Sequence, residues 1–293
     1  DMNTVNPNDI ENISVLKDAA SSSIYGARAS FGVIMSTTKS GKSGKTRVNY
    51  SGNVRFSDAI QIPDMVDSYT FAQYFNRANT NDGGGLVFDE AALERIKNYQ
   101  TGKYTDPNTP EYYGAKAGND GKWQNYTGSF ANTDWFKEAS KPGLYTNANI
   151  TYTGSSGRMR SFVMADYYRK EGAIKDFTLD RFTFRSNNDV KFTDRFTMST
   201  KISGSLSRTD SQQRSVYNTY LYLPWDFPYN EDGSIRSGQE QDWRGRDGIN
   251  DMYDLQWNWS RSKKLTVDGT INFNYQITDW LRFESNNYIR YIS

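Results

Sequence analysis

Few residues of this 293-residue chain carry the chemistry of a catalyst. It contains no His and no Cys, which removes Ser-His-Asp and Cys-His nucleophile systems, thiolate reactions, disulfides and ordinary zinc sites. Two segments approach ligand-binding motifs and fall short. Gly41-Lys42-Ser43 matches the end of a phosphate-binding loop. That motif, however, needs a glycine where Ser36 stands, and the strand-loop-helix order is absent. The Asn230–Ser234 stretch resembles a calcium loop, yet Pro228 occupies the first ligand position and Gln239 the last. A plain turn is expected there, and no metal or cofactor. What remains is aromatic. Trp225, Trp243, Trp257 and Trp259 crowd one stretch with Tyr217, Tyr220 and Tyr222. Such rings either stack on sugars or pack against a partner or one another. A net charge of +1 supplies no basic field of the kind that draws nucleic acid.

The elements that must position these rings read as strands. Aromatics make up 15% of the chain although its mean hydropathy is −0.82, an unusual pairing for a soluble or a disordered protein. Apolar runs such as Gly32–Met35 fall far short of the ~20 residues of a spanning helix. Alternation is the dominant pattern. Over 46–57, Val48, Tyr50, Gly52, Val54 and Phe56 oppose Arg47, Asn49, Ser51, Asn53 and Arg55. Segments 195–207 and 264–276 split as cleanly, 144–154, 181–192 and 281–292 less so, and in 160–169 Val163 and Ala165 disturb the period. Successive strand side chains point to opposite faces, so each segment has an apolar and a polar side. Most run to lengths that suit a bilayer-crossing strand of about 9–11 residues rather than the shorter globular norm.

A large antiparallel sandwich alternates too. The connections separate the two readings. Short links (155–157, 193–194, 277–280) alternate with long ones (58–143, 170–180, 208–262). In an up-and-down sheet this sets all short turns at one end, as in outer-membrane barrels. The expected fold is therefore mainly β: an antiparallel transmembrane β-barrel portion of about seven strands. Aromatic girdles then account for Phe182, Phe192, Phe196, Trp280, Phe283 and Tyr291 near strand ends. Polar strand faces with Arg47, Arg55, Arg181, Arg185, Lys191, Lys201, Lys264, Arg282, Glu284 and Arg290 line the lumen. Within the long loops, 66–77 and 89–99 read as helices, the second with Asp89 as its cap and Leu93 and Ile96 on one face.

Residues 1–45 read as a strand at 10–17, a short helix capped by Asp18, a Gly26 helix end, and a strand at 31–38. Here Asn6-Pro7-Asn8-Asp9-Ile10-Glu11-Asn12-Ile13-Ser14-Val15-Leu16-Lys17-Asp18-Ala19, Ile24-Tyr25-Gly26-Ala27-Arg28 and Gly32-Val33-Ile34 closely resemble the last part of the plug in TonB-dependent outer-membrane transporters. The Val-Leu-Lys-Asp-Ala form is that of the SusC/RagA branch. Stretches 130–136, 169–174 and 182–187 also look like that branch's first barrel strands, while Ala29 and Phe31 depart from its plug turn.

The resemblance implies a division into 1–45, the carboxy-terminal part of an α/β plug domain, and 46–293, the amino-terminal part of the barrel, with extracellular loops 58–143 and 208–262. It implies a fragment of a longer chain whose barrel needs about 22 strands, with the TonB-contacting segment outside it. The function implied is import of oligosaccharides or peptides across a Gram-negative outer membrane, without enzymatic chemistry. The implied partners are TonB, a SusD-like surface lipoprotein and membrane lipid. Asn6, Pro7, Asp9, Lys17, Asp18, Tyr25, Gly26, Arg28 and Gly32 carry the plug signature, serving either local folding or gating. Trp225, Trp243, Trp257, Trp259 and Tyr222 are the candidate ligand or partner contacts. The alternative is a non-transporting β-rich surface protein that binds a glycan or host ligand.

Overall fold

A computed structural model describes residues 10–18, 21, 25, 26, 29, 32–41, 46–58, 61–115, 130–212, 216–229, 232–235, 238, 239, 248, 249 and 257–293. The chain is mainly β and its strands pair antiparallel. A small amino-terminal hairpin joins β1 (Ile10–Leu16) to β2 (Val33–Thr38). Seven longer strands follow: β3 (Arg47–Ser57), β4 (Gly143–Ser156), β5 (Met159–Glu171), β6 (Thr178–Lys191), β7 (Phe196–Gln212), β10 (Trp259–Gln276) and β11 (Arg282–Ile292). They form one sheet in chain order, so each strand pairs with the one before it. Two-residue strands β8 (Gly238–Gln239) and β9 (Gly248–Ile249) pair separately between β7 and β10.

Every expected strand exists, and most are longer than the alternation marked. Strands β7 and β10 pair as far as Gln212 opposite Trp259. Their extensions shrink the 208–262 link to 213–258 and put Trp259 in a strand. Likewise β5 and β6 stay paired out to Glu171 opposite Thr178, so the link expected over 170–180 is only 172–177. Its turn is tight enough to hold Asp176 at φ 64°. Backbone hydrogen bonds continue a ladder after the apolar period has stopped, which is why composition underestimates these ends.

The two faces of the sheet differ throughout. Val48, Tyr50, Val54 and Phe56 on β3 point the same way as Ile150 and Tyr152 on β4, Tyr167 on β5, and Phe182 and Phe184 on β6. Ile202 and Leu206 on β7, Leu265, Val267 and Ile271 on β10, and Phe283, Ile289 and Tyr291 on β11 continue that face, and all of these side chains are exposed. No helix among the described residues is long and apolar enough to cross a membrane. An apolar face this wide exceeds what soluble monomers ordinarily present to water.

In β5 the structure reverses the reading of which residues break the period. Val163 and Ala165 sit on the apolar face with Tyr167, whereas Phe162 and Met164 point to the polar face and are fully buried there.

The main buried apolar core lies outside the sheet, in the 58–142 link. Helices α1 (Ser68–Asn81) and α2 (Glu90–Gln100) are capped by Asp67 and Asp89, which accept from the Thr70 and Ala92 amides. They pack Ala72, Phe88 and Ile96 with Phe130 and Trp225. Asn76 is buried, and both ends of its amide are bonded: Oδ1 accepts from the Val87 and Phe88 N–H groups and Nδ2 donates to the Phe88 carbonyl. The second long link is sewn to this core. Ala131 and Thr133 donate backbone hydrogen bonds to Trp225 and Pro224, and Trp135 Nε1, at the start of α3 (Trp135–Ala139), donates to the Leu223 carbonyl at 2.9 Å.

Two outcomes follow for this module. Trp225→Ala should cost about 3–5 kcal/mol locally and speed hydrogen exchange in both α1 and α2, with the sheet ladder unchanged. Exchange confined to 216–229 would contradict the shared core. Tyr229 donates to Glu138 Oε2 at 3.0 Å, and burial, reinforced by that carboxylate, pushes its hydroxyl up to about 12. Because the folded value lies above the unfolded one, this contribution is present below about pH 10 and is lost as pH climbs toward 12. Alkaline proteolysis of the module should therefore steepen over that interval in the native protein and less in Tyr229→Phe.

Candidate functional site

The polar face of the sheet is built by register. One row runs Ser51, Asn149, Asp166, Thr183, Ser205 and Thr266 across six strands. Asn149, Asp166, Thr183 and Thr266 in this row are buried. Asp166 is 1% exposed and is held by amides: Asn147 and Asn149 both donate to its Oδ1, at 2.8 and 3.2 Å. Among the described residues its Oδ2 meets no hydrogen-bond donor, and the Thr183 hydroxyl opposite it meets no partner. Arg181 and Arg185 flank Thr183 on the same face. Nearer the sheet's β11 edge, Arg290 Nε binds Asp268 Oδ1 at 2.6 Å and Arg282 Nε binds Glu284 Oε1 at 2.9 Å.

The amino-terminal segment touches this wall. Asn187 Nδ2 donates to the Lys39 carbonyl at 2.8 Å. Gly41 is buried so close to the Arg160–Ser161 backbone that a Cβ would stand 2.6 Å from the Ser161 nitrogen. Only a glycine permits that approach. The buried Phe162 lies in the same region of the wall, opposite Asn187. A wall of hydroxyls, amides and paired charges can both accept and donate hydrogen bonds.

The residues singled out in the amino-terminal segment make a hairpin turn. Asp18 Oδ1 accepts from the Ser21 amide at 2.7 Å, as a cap residue does. Lys17 follows β1 directly and is exposed. Tyr25 is exposed and donates its hydroxyl to Met35 Sδ. Gly26 adopts φ 73° and accepts from Ala29, whose own carbonyl accepts from Gly32. Gly32 adopts φ 99°, and a Cβ there would meet the Leu16 carbonyl oxygen at 2.8 Å. Both glycines thus answer to geometry that other residues rarely adopt. Asn6, Pro7, Asp9 and Arg28 lie outside the described residues.

The aromatic candidates separate. Trp225 is 1% exposed, with Phe71 and Phe88 at 5.2 and 4.8 Å. Tyr222 is half-buried, its ring 4.7 Å from Trp135. Trp257 and Trp259 are exposed. Trp259 opens β10 on the apolar face, with the Arg261 guanidinium 5.0 Å over its ring. Trp243 lies outside the described residues. The loops also hold a feature that periodicity could not reveal: an apolar cavity of about 440 Å³ lined by Ile62, Pro63, Phe136, Ala173, Ile174 and Tyr220, among others. Its walls come from four separate stretches of chain, so no sequence window contains it. The Asp232-Gly233-Ser234 stretch is a turn, bridged by Tyr229 and Ile235 and closed by the Ser234 amide donating to Asp232 Oδ1. Among the described residues no cluster of acidic side chains suits a metal ion.

No model of a known protein family matches the chain. Curated proteins do. TonB-dependent receptor P26 of Formosa agariphila is 27% identical over 242 residues, covering 82% of this chain and 21% of that protein. TonB-dependent receptor SusC of Bacteroides thetaiotaomicron is 29% identical over 187 residues, 64% of this chain and 15% of its own length. The chain thus spans about a fifth or less of the curated relatives it matches. Among solved structures, the RagAB peptide importer in its closed-closed state superposes with a TM-score of 0.74 at 19% identity, covering 99% of this chain and 33% of the other. Its open-open state gives 0.73 at 20% identity. In sequence the chain is similar to TonB-dependent receptors, SusC among them, and in fold to part of the RagAB importer.

Proposed function

We propose that this chain is part of an energised importer of oligosaccharides or peptides in the outer membrane of a Gram-negative cell. The two-faced sheet carries the reading. Its strands reach or exceed bilayer-crossing length, one face is predominantly apolar, and the other is polar and receives the amino-terminal segment. Residues 1–45 are the end of the plug, 46–293 are the first wall of a barrel around it, and the links 58–142 and 213–258 stand at the cell surface. Lys17, Asp18, Tyr25, Gly26 and Gly32, with Asn6, Pro7, Asp9 and Arg28, form the plug element that TonB ultimately displaces, through a contact segment outside this chain. A SusD-like lipoprotein caps the surface loops, where Trp257, Tyr222 and Trp243 are the aromatic contacts for solute or partner. The solute passes unchanged and no covalent chemistry is required.

Curated relatives named as TonB-dependent receptors support this reading, as does the fold shared with a peptide importer. A surface-binding protein without transport has no use for an amino-terminal segment that reaches the polar face of the sheet.

Ile271 is exposed on the apolar face near mid-strand, and its neighbour Thr270 points to the polar one. Ile271→Arg should destabilise the membrane-inserted protein by about 2–4 kcal/mol and lower its folded amount in outer-membrane fractions, while Thr270→Arg changes little. Equal tolerance of both would remove the bilayer assignment. For transport itself, a deletion strain should lose growth on one class among a panel of polysaccharides and peptides. Complementation by Arg28→Ala at a normal surface level should restore growth only partly. Full restoration would remove the gating role of that residue.

A further inference from the structure

We propose that the apolar face of the sheet carries, at its short-turn end, a binding site for one phospholipid whose headgroup sets a phosphate beside a primary ammonium. Phe196, Phe273, Tyr275 and Phe283, with turn residues Thr193, Asp194 and Arg195, line an open groove of about 830 Å³ there. The rings come from three adjacent strands: Tyr275 pairs with Phe196 on one side and Phe283 on the other. Phe196 lies nearly parallel to Phe273 at 6.4 Å and to Phe192 at 5.3 Å, and edge-on to Tyr275 at 5.9 Å. A ring-walled slot on a membrane-facing surface fits an extended acyl chain, with the glycerol at the ring edges.

The rim of the groove supplies headgroup chemistry of both signs. Arg195 is well exposed, and its ion-pair partner is the even more exposed Asp279, at 3.4 Å. Lys191 binds Asp194 at 3.1 Å, and Arg158 on the neighbouring turn donates to the Phe192 carbonyl. An exposed ion pair this long contributes little, so a phosphate can replace Asp279 on the Arg195 guanidinium as a shorter, bidentate partner. The released Asp279 carboxylate then stands one contact away from that phosphate, where an ethanolamine ammonium reaches it. An acidic headgroup without an amine would leave Asp279 beside its phosphate uncompensated. The charge pattern therefore favours the zwitterionic lipid over the anionic one.

The inference rests on this face meeting the bilayer, as the proposed function requires, and its test keeps the two apart. The purified full-length transporter is stripped of lipid and titrated with phosphatidylethanolamine or phosphatidylglycerol, with bound lipid counted by native mass spectrometry. Saturable uptake of phosphatidylethanolamine is expected, about tenfold tighter than phosphatidylglycerol. Arg195→Ala should weaken the former about tenfold. Asp279→Asn should erase the preference, and Phe283→Ala should weaken both lipids alike. Equal, non-saturating association, or binding untouched by Arg195→Ala, overturns the site. So does full competition by inorganic phosphate at equal concentration, which would mark a site for free phosphate. A nitroxide at Ile202, mid-face and away from the groove, reads bilayer contact separately. Exposure of that label to a lipid-soluble quencher with no lipid selectivity refutes this site alone, and shielding from the quencher refutes the bilayer assignment as well.

Discussion

The whole arrangement depends on a period of two. A strand sends successive side chains to opposite faces while its N–H and C=O groups are spent on the neighbouring strands. Each of the seven long strands uses that period the same way, and pairing in strict chain order keeps the phases aligned. Val54 on β3 and Ile271 on β10 share a face because every intervening register preserves it. A one-residue slip anywhere would invert everything beyond it. The apolar face can then meet lipid, and the polar one water or protein, with a low mean hydropathy overall. The same logic explains the aromatic content, since rings suit the borders of the apolar band.

What the sequence made legible follows from that period. Strands with clean alternation, such as β3 and β10, can be placed by reading alone, and so can the helix begun by Asp89, whose cap is local. The first helix reads over 66–77 but runs Ser68–Asn81, capped by Asp67. The failures are equally physical. The ends of β7 and β10 contain Arg208, Asp210 and Arg261, and Arg261 Nε binds Asp210 Oδ1 at 2.7 Å across the two strands. A cross-strand ion pair extends the ladder where no apolar pattern marks it. In β5 the confusion came from Phe162 and Met164, apolar residues on a polar face. They are explained only by long-range burial on the wall that the amino-terminal segment contacts.

The candidate site was less legible than the fold. Gly26 and Gly32 stood out by motif, and the structure supplies their reason in positive φ and a carbonyl at contact distance. Gly41 stands in the sequence only as part of an incomplete phosphate-loop motif. Its close approach to Ser161 depends on two segments more than a hundred residues apart, which no local spacing encodes. Trp225 illustrates the converse. A tryptophan in a loop suggests a ligand platform, yet this one closes a core shared by both long links. Aromatic composition cannot say whether a ring is a surface or a keystone, because that is decided by what the rest of the loop folds against.

These two levels of order bear on how the molecule can work. The loop core is apolar, interlocked and capped, so its parts must move together or not at all. The wall beneath is different in kind. Its central row is made of short hydroxyl and amide side chains, with a carboxylate held by two amides and spare acceptors at Asp166 Oδ2 and Thr183 Oγ1. Unpaired acceptors in a buried polar surface are costly unless water or a moving partner can satisfy them. Small neutral groups also exchange partners without breaking strong ion pairs or emptying an apolar pocket. The glycine-tight approach at Gly41 and the hydrogen bond from Asn187 to the Lys39 carbonyl fix where the amino-terminal segment meets this wall.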